Sequence, residues 1–171
     1  LITQIIRENV GSKERTFYAE RALVALERAG LEPSVTLIAS ANLEKCKTLQ
    51  IYERLAEAAK AKNDLARAGH WLALAAEHCQ GEKQFQFALG AATLLRHTDL
   101  ARATQMAQLA SSSPPHDEEA VFLCAELWII QGDTEHTETT LNLLPLEGRL
   151  GQRWWETMIR LHYTAHANYE E

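Results

Sequence analysis

The chain has no apolar run approaching 18 residues, no basic run of five or more, only four prolines and only three cysteines among 171 residues. The first absence excludes a membrane-spanning helix. The second removes the usual means of neutralising phosphates, and with 17 basic against 23 acidic side chains (formal net charge −6) nucleic-acid binding is disfavoured. Cys46, Cys79 and Cys124 are spaced by 33 and 45 residues, so they form neither a CxxC pair nor a zinc-type cluster. They read as buried free thiols, which favours a reducing, cytoplasmic compartment over the periplasm.

Enzyme signatures are missing too. The chain contains no GxxxxGK[ST], GxGxxG or GxSxG. Cys79 follows His78, but adjacent helical residues point apart and make a poor nucleophile–base pair. His162, His166 and Glu170 share a helix face at i, i+4, i+8, yet no general-base Glu lies between the histidines as in HExxH, so the trio reads as a solvated face. The reading is a non-catalytic chain with no cofactor and no bound metal. Leu1 replaces an initiator Met and no signal-peptide pattern opens the sequence, as expected of a piece of a longer polypeptide.

What is present is a repeat. Asp64, Asp99, Asp133 and Asn168 follow one another at 35, 34 and 35 residues, and Gly30 stands 34 before Asp64. A period in this range marks a stacked array, in which one helical hairpin cannot bury its apolar face but its neighbours can. First helices are predicted near 14–29, 49–62, 83–97, 117–131 and 151–166. Each carries a large residue early (Tyr18, Tyr52, Phe87, Val121, Trp155) and a small or apolar one four on (Ala22, Ala56, Ala91, Ala125, Ile159). Three further come Ala25, Ala59, Leu94, Trp128 and His162. Offsets of four and three place these on one helix face, so Trp155 is expected in the core. Trp154 then points against the neighbouring repeat or outward.

Asp64, Asp99 and Asp133 should accept hydrogen bonds from the free N–H groups that open the next helix, and Asp117 should cap the helix after Ser111–Pro115. Second helices repeat a face of their own: Ala68, Leu72, Ala75; Ala103, Ala107, Ala110; Thr137, Leu141, Leu144; and, in the first unit, Ser34, Ile38, Ala41. The only β-branched cluster, Val35–Ile38, falls where a second helix is expected, and residues 1–10 carry a helical stripe. The fold class is therefore all-α, with no sheet.

These residues resemble the tetratricopeptide repeat. The best match is Phe87, Gly90, Ala91, Leu94, Asp99, Ala103, Ala107, Ala110 and Pro115; Tyr52, Leu55, Ala56, Ala59, Asp64, Ala68, Leu72 and Ala75 follow it closely. Departures are Thr137 in place of Ala, and Cys46, Gln80 and Arg149 where a helix-ending Pro is usual. The resemblance divides the single array into residues 1–11 (a second helix of a preceding repeat), 14–48, 49–82, 83–116, 117–150, and 151–171 as the start of another. It implies a right-handed α-solenoid of antiparallel helix pairs, further repeats at both ends, and a concave face of first helices that takes a protein or peptide partner.

By that register, first-helix positions beside the packing stripe line the groove. Phe85, Leu95, Phe122 and Ile129 would form an apolar floor rimmed by Arg96, Glu126 and Arg160, a composition typical of interface hot spots. The opposing reading places Phe85 and Phe122 in the core, with the register displaced by one helix position, because large aromatics usually bury. Three functions fit such an array. The first is a scaffold docking a partner segment. The others are an effector-sensing array of a signal-transducing transcription activator and a periplasmic scaffold of an exopolysaccharide export or secretion machine.

Overall fold

A computed structural model describes residues 21, 24, 25, 27–30, 45–112, 116–145 and 151–167. Among them regular structure is helical throughout. Following a helical stretch that ends at Ala29, the helices are α1 (Lys45–Ala61), α2 (Leu65–Glu77), α3 (Glu82–Leu95), α4 (Leu100–Ser111), α5 (Glu118–Ile130), α6 (Thr134–Leu141) and α7 (Gln152–Ala167). The protein is all-α, and α3, α5 and α7 keep close to their predicted spans. α1 starts four residues earlier than expected, at Lys45 rather than 49. The stripe at 1–10, the Ser34/Ile38/Ala41 face, the Val35–Ile38 cluster and the Pro114-Pro115 break lie outside the described residues.

The Asp residues set the helix starts. Asp64, Asp99, Asp117 and Asp133 each accept a backbone N–H three residues on, from Arg67, Arg102, Ala120 and His136, at 3.0–3.1 Å. Each bond satisfies one of the donors that a helix start leaves without a partner. The ends of α1 and α5 share a left-handed residue just before the cap, Asn63 (φ 60°) and Gly132 (φ 76°). There the Asp64 and Asp133 N–H groups reach back to the Ala59 and Trp128 carbonyls, closing the last turn. Gly30 (φ 76°) donates to the Glu27 carbonyl as Asn63 does to that of Lys60 and Gly132 to that of Ile129. The turn after α3 uses no left-handed residue; Thr98 and Asp99 both donate to the Leu95 carbonyl.

From α1 to α6 the main contacts join consecutive helices, and α7 lies on α5 and α6. The second-helix stripes are buried as predicted, including Leu144, which stands past the end of α6. Alanine dominates the seams: Ala56, Ala59, Ala68, Ala75, Ala91, Ala103 and Ala107 are at most 1% exposed. Small side chains bring backbones together, and Trp71, Ile51, Leu55, Met106, Leu127 and Phe122 supply the bulk. Each such side chain contributes about 1.5–3 kcal/mol on burial.

Candidate docking surface

The predicted floor separates into two parts. Phe85 is half-buried and lines an open groove of about 420 Å³ with Leu89, Leu94, Gly90, Lys60 and Glu119. Phe122, Leu95 and Ile129 are instead core residues, 0, 3 and 7% exposed, so the expectation that they face an open groove is corrected. α7 covers Phe122: the Arg153 guanidinium stacks 4.7 Å above its ring, and Trp154 and Met158 pack on the cluster it shares with Val121, Ala125, Leu141 and Leu144. Leu95 turns to α2 and fills the notch at Gly69. Of the rim residues, Arg96 is exposed and donates to His97 Nε2, Glu126 is half-buried 3.8 Å from Arg153, and Arg160 is exposed.

A second correction concerns α7. Trp155 and Ile159 are 55 and 54% exposed, and His162 is exposed too. The buried face is instead Thr157 and Leu161, with Trp154 and Met158 half-buried beside them. Trp154 thus packs against the neighbouring unit, one of the two orientations open to it, with Trp155 edge-on at 4.9 Å. The side chains of His166 and Glu170 lie outside the described residues.

Sequence reasoning missed a second recess. About 880 Å³ in volume, it is lined by Arg21, Val24, Ala25 and Arg28 on one side and by Arg54, Glu57, Ala58, Ala61 and Lys62 on the other. The seven-residue spacing of Arg21 and Arg28, one helix face, was the signal available. Beside it Glu27, 1% exposed, pairs with Arg67 at 3.0 Å, and Lys62 Nζ donates to the Glu27 carbonyl oxygen at 2.7 Å. These bonds tie Glu27 to the turn after α1 and to the first turn of α2.

Titratable groups elsewhere have structural surroundings. Burial raises the thiol pKa of buried Cys124 above its ordinary value, and also that of half-buried Cys79, where the Lys83 charge opposes it. Burial, and then the Glu77 charge, raises the Tyr52 phenol. No group of three or more His, Cys, Asp or Glu side chains is placed to hold a metal among the described residues, and no described helix is long and apolar enough to cross a membrane. Comparison with family models, with curated proteins and with solved structures finds no match.

Proposed function

We propose that the chain is a non-catalytic, tetratricopeptide-like array, wound as a right-handed solenoid of antiparallel helix pairs, that docks a segment of a partner protein along its row of first helices. The observation that carries this reading is the lining of the two recesses. Among the described residues, those lining them belong to the 21–28 positions, to α1 and the Lys62 that follows it, to α3, or to the start of α5, and none lies on α2, α4 or α6. A binding row confined to alternate helices is what stacked helical pairs produce.

The chemistry of the two recesses defines the segment. Arg28, in the larger recess, suits an acidic residue, and the Phe85–Leu89–Leu94 wall suits an apolar side chain. A surface formed in advance spares ordering entropy, so a short segment suffices. Selection from a random displayed peptide library on the 171-residue chain tests this reading. Acidic sequences with one apolar anchor should be enriched, and Phe85→Ala and Arg28→Glu should each weaken the selected peptide by about tenfold. Failure to enrich that class, or binding indifferent to both substitutions in folded protein, overturns it.

A further inference from the structure

The groove at Phe85 carries opposite charges at its two sides. Its floor belongs to α3, and two single side chains from other helices complete it: Lys60 of α1 and Glu119 of α5. Lys60 stands in the last turn of α1 and Glu119 in the first turn of α5, and both are exposed. Among the described residues neither side chain has an ion pair or a hydrogen bond. The polar groups of the floor are engaged within α3 itself. The Thr93 hydroxyl donates to the Leu89 carbonyl at 2.9 Å, and the Gln86 amide donates to Glu82 Oε1 at 3.3 Å. The two charges are therefore the groups in the groove left to meet a ligand.

Their places in the repeat keep them from meeting each other. Counted from Asp64, Asp99 and Asp133, Lys60 stands level with Leu95 and Glu119 level with Phe85. In stacked repeats that offset separates them by about 15 Å along α3, the length of roughly four to five residues of extended chain. The apolar wall of Phe85, Leu89 and Leu94 lies between. The sign of each side continues outward. Arg28 lines the recess that α1 shares with the 21–28 positions, and Glu118 stands beside Glu119.

We infer that this groove selects a partner segment of mixed charge, with a carboxylate on one side of its apolar anchor and a cation on the other. The carboxylate meets Lys60 and the cation meets Glu119. The inference rests on the docking reading proposed above and adds to it the cation and the charge order. Exposed pairs contribute little to affinity but much to discrimination, because a second carboxylate placed at Glu119 is repelled.

Selection from a random displayed peptide library, run in parallel on the native 171-residue chain and on Glu119→Lys, tests it. Native protein should enrich an apolar anchor with an acidic flank and a basic flank, and Glu119→Lys should replace the basic flank by an acidic one. A synthetic peptide selected on native protein should bind Glu119→Lys about fivefold more weakly at low ionic strength. Changing the peptide's cation to Glu should restore it, and added salt should shrink the difference. Glu119→Gln, which keeps the shape of the side chain, should lose the preference for a basic flank without gaining one for an acidic flank. Selected peptides that need Phe85 but carry no cation, or that bind native and Glu119→Lys proteins equally, overturn the inference and leave the docking reading standing. Failure to enrich any peptide that depends on Phe85 overturns both.

Discussion

Gly69 of α2 and Leu95 of α3 meet so closely that a methyl carbon added at position 69 would stand 2.6 Å from Leu95 Cγ. Inside a helix Gly→Ala ordinarily stabilises by about 1 kcal/mol. Here the collision is with a branch carbon rather than a flexible tip, and Leu94 Cβ lies 3.2 Å from the same point. Gly69→Ala should therefore lower the stability by roughly 1 kcal/mol, the overpacking cost exceeding the helical gain. On a Leu95→Ala background the same change should stabilise. Urea midpoints check both signs, and a rise for the single variant would show the two helices to be further apart.

Phe122 and Phe85 should respond differently to truncation. Phe122→Ala empties a site closed by Arg153, Trp154 and Met158 and should cost about 3–5 kcal/mol. Phe85, half-buried in its groove, should cost well under half of that on Phe85→Ala. Equal losses in denaturant titrations would place both rings in the same environment and remove Phe85 from the surface.

Asp133 links stability to acid. The His136 backbone N–H (3.0 Å) and the ring Nδ1 (2.8 Å) hold its carboxyl pKa below the ordinary value. The folded value is depressed, so the stabilisation is complete above the unfolded pKa of about 3.9 and is lost as the pH falls through the lower folded value. Asp133→Asn keeps the capping acceptor and has no titrating group. The stability gap between the native chain and this variant should close as the pH falls from about 5 toward 2. A gap that stays constant over that interval contradicts the assignment.

Glu27 and Arg67 form a pair whose carboxylate side is enclosed. Arg67→Leu should cost roughly 3 kcal/mol because it leaves Glu27, 1% exposed, without its cation. Glu27→Leu/Arg67→Leu should recover most of that loss, since apolar replacement of a buried pair is often neutral. A double variant no more stable than Arg67→Leu would mean that the single loss comes from packing.

The Asx turns and second-helix stripes were legible because each rests on local chemistry: a carboxylate three residues before a free N–H, or Ala68, Leu72 and Ala75 at helical spacing among polar residues. α5 was not legible in the same way. Its sequence from Val121 to Ile130 is apolar on nearly every side, so periodicity cannot say that Phe122 and Ile129 are buried while Ile130 faces solvent. α7 posed the same ambiguity with adjacent tryptophans. Trp154 and Trp155 point about 100° apart on a helix, and packing on α5 selected Trp154. The cationic recess depends on where the 21–30 segment meets α1, a long-range placement that no spacing within one helix encodes.

Because each helix from α1 to α6 rests chiefly on those next to it in sequence, contacts are local and loop closure costs little, which favours rapid folding. The same architecture lets damage stay where it occurs. Losing α7 would bare Phe122 and loosen α5, while the Ala-lined seam between α1 and α2 would keep its partners and fray last.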